Sequence, residues 1–261
     1  MTEVTIRLIF FIGMLLIVAT LELFLPKRKL QQKKSTRWLN NLLLIFINTI
    51  LLRLIFPVAA VGVALFCELN KIGVLNYFEF AESLKIVIAF IVLDLSIYLQ
   101  HVLFHHIPIL WSIHKVHHAD MDIDVTTGLR FHPFEMILSM LIKIVVVTII
   151  GAPVLAVIIF EIVLNATAMF NHGNIGLTKN VDKILRVFII TPDMHRVHHS
   201  TVVGETNSNF GFNFSIWDRF FKTYKAQPSK GHYEMNIGLD EYKDARTTQS
   251  IKGMLEIPFK G

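Results

Sequence analysis

Cysteine occurs once, as Cys67, in the 261 residues, which excludes an intramolecular disulfide, a four-thiolate zinc site and a self-contained iron–sulfur cluster. Charge is also scarce. Charged residues make up 17% of the chain against 53% hydrophobic, with a mean hydropathy of +0.55; an average soluble domain has more of the first and less of the second. The balance excludes a soluble globular protein and predicts an integral membrane protein. No repeat array, low-complexity tract or break in composition marks a second folded domain. Haem, flavin and nicotinamide motifs are missing too, so any electrons the chain uses must come from elsewhere.

The formal charge of +5 could suggest nucleic acid. The densest basic run, PKRKLQQKKSTR at 26–37, instead lies directly between two apolar spans, where the positive-inside rule accounts for it and makes it cytoplasmic. The first span, 8–25, is long for a signal peptide and is followed by Pro-Lys-Arg-Lys with no small-residue cleavage site, so it reads as a retained transmembrane helix. The second, 42–66, returns across the membrane with two costly features, Arg53 near its middle and Pro57. A lone intramembrane arginine implies a partner inside the bundle or a contact with a substrate headgroup.

A third span, 84–105, returns to the cytoplasm and delivers His101 and His105 at its inner end. The apolar stretch 136–169 is interrupted by GAP at 151–153, which predicts a hairpin of two helices of about 15 residues each. Parity then places 119–133 and everything after Phe170 in the cytoplasm, with Cys67 outside or near the outer interface. The expected fold is all-α: a polytopic helical membrane protein with about three spans, a helical hairpin and a cytoplasmic histidine-rich cap. It is read as one unit over 1–261, with N-terminal transmembrane helices at 1–83, a histidine-rich catalytic core at 84–225 and a cytoplasmic C-terminal tail at 226–261.

What the chain has in excess is histidine in a narrow window: eleven of its twelve histidines fall between His101 and His199. HKVHH begins at His114 and HRVHH at His195, with identical spacing. Residues at i, i+3 and i+4 share one face of a helix, so each pentapeptide is expected to aim its imidazoles at one point, as His101 and His105 do at i, i+4. A lone histidine on an apolar face is usually a hydrogen-bonded core residue; eight at ligand spacing point to metal. One octahedral ion takes at most six ligands, which favours two ions over one crowded site. Imidazole alone leaves zinc, copper, iron and nickel open, but a catalytic zinc needs only three protein ligands. A large, nearly all-nitrogen site suits a redox metal. His106 is expected to face away from its neighbour His105, and His232, outside every motif, to lie on the surface.

DLSIYLQHVLFHH, LWSIHKVHHAD, TTGLRFHPFE, FNHGNIG and TPDMHRVHHS with SNFGFNFSIWDRFF resemble, in order and spacing, the fatty acid hydroxylase and sterol desaturase superfamily over about 94–224. The resemblance implies a cytoplasmic-facing di-iron centre at which dioxygen hydroxylates or desaturates a lipid C–H bond. The lipid would be of fatty acyl, sterol or alkylglycerol type. Carried over, the box ligands are His101, His105, His114, His117, His118, His195, His198 and His199. His172 in NHGN and His132 in RFHPFE match further family histidines, His132 as a ligand or as a residue behind one. No catalytic residue beyond the metal centre is implied. Two iron ions are expected, with zinc possible in recombinant material, and the electron donor would be a separate cytochrome, ferredoxin or reduced pterin. The membrane would be the inner membrane of a bacterium or the endoplasmic reticulum of a eukaryote.

Ligating histidines pass their other N–H to a carboxylate or carbonyl. Asp94, seven residues before His101 on the same face, is the first candidate for that role, against the alternative that it pairs with Arg53; Asp193 and Glu135 are weaker candidates. Two other classes compete with an oxygenase. A membrane metal transporter or storage protein is disfavoured because transport sites sit near the bilayer midplane, whereas these boxes lie at helix ends. A zinc-dependent membrane hydrolase is disfavoured because no HExxH-type glutamate accompanies the boxes.

Overall fold

The computed structural model describes residues 2–260, and no β-strand occurs among them. Five segments are long and apolar enough to cross a membrane, and the chain is a polytopic helical membrane protein. α1 covers Glu3–Phe24; α2, Lys34–Ile55, and α3, Ala59–Leu69, form the second crossing; α4 is Glu82–His106; α6 and α7 are Pro133–Ile150 and Val154–His172. Between α4 and α6 lies the shorter α5, Pro108–His118. Beyond α7 come α8, Lys179–Phe188, α9, Pro192–His198, and five pieces of four to six residues, α10 to α14, between Val203 and Glu256.

Prolines and glycines set the boundaries. The expected continuous span over 42–66 is broken at 56–58, because Pro57 can neither donate to the helical ladder nor fit beside the preceding turn, and Ala59 carries the bend at φ 50°. The hairpin helices are longer than expected, 18 and 19 residues. Pro133 starts α6 well before the apolar run, and α7 continues through Asn171 and His172 past it. Gly151 ends α6 in the left-handed region at φ 65°, and its backbone lies so close to Gly73 that a Cβ on Gly73 would come within 2.2 Å of the Gly151 nitrogen. This glycine contact pins the hairpin tip to the α3–α4 connection, at the end of the bundle opposite the histidines.

α7 is the central helix and packs against α1, α3 and α4. Ala60, Ala64, Ala89 and Ala156 are fully buried among Leu93, Val147 and Phe160, small side chains that let membrane helices approach closely. Leu8, Leu16, Leu54, Leu69 and Ile149 point outward and stay exposed, as lipid-facing residues should. Cys67, in α3, is buried. The C-terminal segment is no free tail: Met254 and Ile257 are buried against Leu44, Val116 and Ala119, so it closes over α2 and α5.

Candidate metal centre

Pro108, Pro133 and Pro192 each occupy the first turn of a helix, where the missing N–H costs nothing and φ is already helical. Each launches an element of the site. α4 stops at Ile107 because the residue before a proline is driven out of the helical region, and the chain folds back so that α5 lies along the end of α4. α9 is started by Thr191, whose hydroxyl accepts from the Met194 N–H. His101, His105, the two pentapeptides and His172 at the end of α7 are thereby brought to one place.

Nine histidines form two adjoining groups, within each of which the ligand atoms lie within 4.8 Å of one another. One contains His101, His105, His114, His118 and His198, the other His117, His172, His195 and His199. Each pentapeptide is split between the groups instead of serving one point. On a helix the i, i+4 pair is only about 40° apart, but the adjacent positions i+3 and i+4 are separated by about 100°. His117 and His118 therefore face different groups, as do His198 and His199. The seam is tight: the rings of His118 and His199 stack at 4.6 Å and 18°, and those of His195 and His198 at 5.0 Å and 27°.

The outer nitrogens are tied down. Nδ1 of His101 meets the Phe210 carbonyl at 2.7 Å, that of His198 the Ser208 carbonyl at 2.8 Å, that of His117 the Arg130 carbonyl at 3.2 Å and that of His172 the Ala168 carbonyl at 2.7 Å. His105 Nδ1 lies 3.2 Å from the Asn207 amide oxygen. The inward nitrogens are different. Nε2 of His101, His105, His114 and His198, and both nitrogens of His118 and His199, are buried without a partner among the described residues. In the other group Nε2 of His172 lies 3.0 Å from that of His117 and 2.9 Å from that of His195. Lone pairs buried and pointed at one another are costly without a cation between them, so both groups fit metal.

Burial, reinforced by the neighbouring imidazoles, holds His114, His117, His118, His195 and His199 well below the usual histidine range. His198 is held down in the same way. These rings are neutral, the form that binds metal.

Behind the ligands the sequence expectation is rearranged. Asp94 touches no histidine and does not pair with Arg53; its Oδ2 accepts from the Trp217 indole N–H at 2.7 Å, fastening α4 to the cap. The carboxylate on a histidine is that of Glu135, whose Oε1 lies 2.7 Å from His114 Nδ1. Asp193 instead pairs with Lys27 at 2.7 Å and Arg196 at 2.5 Å. His132 stands apart from both groups and caps α6, its Nδ1 accepting from the Phe134 N–H at 3.2 Å. His106 is exposed as expected. His232, expected on the surface, is buried with Nε2 3.7 Å from Asp193, because α12 packs on α9 and Arg28 donates to the His232 carbonyl.

Two supports went unread in the sequence. Arg37, part of the basic run, is fully buried, donating from Nε and Nη2 to Asp120 at 3.0 and 2.8 Å and from Nη1 to Asp124 at 2.5 Å. Burial alone would raise the Asp120 carboxyl, but the Arg37 and Arg130 guanidiniums hold it below the usual range. This fork clamps the loop leaving α5. Asp218 accepts from the Phe210 and Gly211 N–H groups at 2.7 and 3.0 Å, which aims the Phe210 carbonyl at His101. Asp120 in HHAD and Asp218 in IWDRFF lie inside recognisable motifs, so their positions were visible while their partners were not.

A cavity of about 810 Å³ extends from the five-histidine group, where His101, His114 and Glu135 line it, to residues of α1, α2 and α6. Its walls are mostly apolar, among them Phe11, Ile45, Phe104, Leu129 and Phe212. The volume lies in the range, about 300–1,000 Å³, of pockets that enclose small ligands.

Fold and site together define a helical membrane protein with two histidine groups that could hold metal. The family model for fatty acid hydroxylase matches residues 86–223, more than half of the chain, and this chain belongs to that family. Similar curated proteins include the ornithine lipid hydroxylase OlsE of Rhizobium tropici, 25% identical over 159 residues, which are 61% of this chain and 47% of that one. The alkylglycerol monooxygenase of Homo sapiens is 25% identical over 160 residues (59% and 34%), and that of Danio rerio 30% over 146 (56% and 32%). The chain thus spans less than half the length of these relatives. No solved structure matches.

Proposed function

We propose that this protein is a membrane-bound oxygenase that oxidises a lipid C–H bond with dioxygen and external electrons at a pair of iron ions. One observation carries the reading: two adjoining all-histidine groups, one of them opening onto a mostly apolar cavity of about 810 Å³. Family membership and the hydroxylase and monooxygenase names of the relatives support it, and favour hydroxylation over desaturation. They also weigh against a metal transporter and a hydrolase.

His101, His105, His114, His118 and His198 would hold one ion and His117, His172, His195 and His199 the other. Iron there would supply the activation of dioxygen that no side chain can provide. The chain's own residues do the rest. Glu135 and the carbonyls of Phe210, Ser208, Arg130 and Ala168 accept from the Nδ1 N–H groups of His114, His101, His198, His117 and His172, which leaves the Nε2 lone pairs of those five rings facing inward. Phe104, Leu129 and Phe212 keep water from the cavity floor and orient an alkyl chain against His101 and His114. The basic loop after α1 lies on the histidine face, with Lys27 on Asp193, which supports a cytoplasmic catalytic face, in an inner membrane or endoplasmic reticulum. A separate cytochrome, ferredoxin or reduced pterin would deliver the electrons.

The test is elemental analysis of purified protein combined with oxygen uptake in the presence of lipid and reductant. Two metal ions per chain are expected, iron in the active form and zinc in part of overexpressed material, with one oxygen-18 atom from labelled dioxygen in the product. Unchanged turnover under strict anaerobiosis, or activity without any transition metal, overturns the reading.

A further inference from the structure

The upper wall of the cavity is charged, and its charges do not balance. Arg7 pairs with Glu3 and Glu161, each at 2.9 Å, and Lys143 pairs with Glu161 at 2.8 Å. All four residues line the cavity. So does Arg53, at the end of α2 beside the Pro57 break, but among the described residues it forms no ion pair and no side-chain hydrogen bond. Three cations thus face two carboxylates. The unmatched charge is a guanidinium exposed at the rim, next to the exposed Val58 and Val4.

A permanently charged, forked donor inside a membrane-spanning helix is kept where it has a partner or a task. The neighbouring pairs are closed on themselves, so no carboxylate of the wall is free for it. The rim is also at a defined height. Asn48 donates to the Phe131 carbonyl at 2.8 Å, and Phe131 stacks on His117 at 4.6 Å. Arg53 follows one and a half turns later, about 7.5 Å further along α2.

We infer that Arg53 is the anchor for a single lipid oxyanion, a carboxylate or phosphate, whose hydrocarbon chain descends the cavity to His101 and His114. The inference rests on the oxygenase reading for the identity of the cavity as a substrate site and adds to it the head group and its binding residue. A guanidinium matches an oxyanion with two parallel hydrogen bonds, and one negative charge neutralises the wall. The oxidised carbon then falls in the head-proximal part of the chain, because the rim stands close above the histidines.

The experiment is equilibrium binding of three tritiated lipids to the detergent-solubilised full chain: palmitate, monopalmitoyl lysophosphatidate and uncharged monopalmitoylglycerol. Wild type is expected to prefer at least one of the two anionic lipids over the neutral one, and the arm that shows the preference distinguishes carboxylate from phosphate. Arg53→Gln should weaken that lipid by about tenfold or more, the scale of a lost charge-assisted bond, and leave monopalmitoylglycerol within about twofold. Arg53→Lys should recover part of the loss, since it keeps the charge and loses the fork. Equal loss of charged and neutral lipids, no loss of either, or a wild type without preference each overturns the assignment. The last comparison needs no variant, so a misfolded Arg53→Gln leaves the test intact. Binding is read without oxygen or electrons, so a chain that holds the anionic lipid but takes up no oxygen refutes the oxygenase and leaves the anchor standing.

Discussion

The two histidine groups are built from the same pentapeptides, yet they differ in what stands behind them. The five-histidine group draws on α4, α5 and α9, borders the cavity through His101 and His114, and has a carboxylate, Glu135, on one of its rings. The four-histidine group draws on α5, α7 and the end of α9, and its traced Nδ1 contacts go to backbone carbonyls of Arg130 and Ala168. None of its members lines the cavity. One group thus borders the cavity and adds a side-chain carboxyl group to its main-chain supports, while the other is enclosed and its traced supports are main chain alone. Position in the fold, not motif, makes the difference.

That contrast breaks most sharply under ligand removal. His101→Ala should abolish turnover and empty the five-histidine group while the other keeps its metal, and His117→Ala should do the reverse to occupancy; metal-to-protein ratios read both. His132→Ala should keep full occupancy and lose only helix-capping stability, about 1 kcal/mol. If either ligand variant loses all metal, the groups act as one site and the comparison fails.

Next in size is Arg37→Ala, which leaves Asp120 and Asp124 buried without their partner and should cost about 3–5 kcal/mol of stability. Both groups should suffer, since the clamped loop follows His118 and carries Arg130, whose carbonyl meets His117. Denaturant unfolding checks the cost. An effect on one group alone would show that the clamp serves only half of the centre.

Glu135→Gln keeps the shape and replaces the carboxyl group behind His114 with an amide. Metal affinity should fall about 10–100-fold in the five-histidine group alone, measured by competition with a chelator. Equal weakening of both groups would erase the distinction between a side-chain and a main-chain support.

The smallest effect per residue is on pH. The six histidines of the two pentapeptides are held well below 6.5 in the folded chain. Below 6.5 the unfolded chain binds more protons than the folded one. The metal-free protein should therefore keep its stability above about pH 6.5 and lose it progressively as the pH falls below that value. Thermal midpoints across that window check it, and a midpoint that rises on acidification refutes the neutral state of the rings.

Much of this was legible in the residues. The apolar runs, the positions of Pro57, Gly151 and Pro133 and the spacing of the histidines gave the helices and gathered nine of the ten proposed ligands. Expectation and structure part where one side chain had to choose among distant partners. Asp94 shares a face with His101 but reaches Trp217, 123 residues away. Glu135, the weaker candidate, sits 21 residues from His114 and meets it. Arg37, read as a topology signal, finds its carboxylates 83 and 87 residues on.

By itself the sequence determined that this is a helical membrane protein with histidines at metal-ligand spacing. Those properties are local: hydropathy follows composition over a span, and the angle between neighbouring side chains follows from the helical repeat. Only the tertiary structure decided that each pentapeptide is divided between two groups, which carboxylate supports a ligand, and that Arg53, at the cavity wall, is left unpaired among the described residues. Those outcomes depend on how separate helices cross, and a crossing is set by packing between residues far apart in the chain, which no local periodicity encodes.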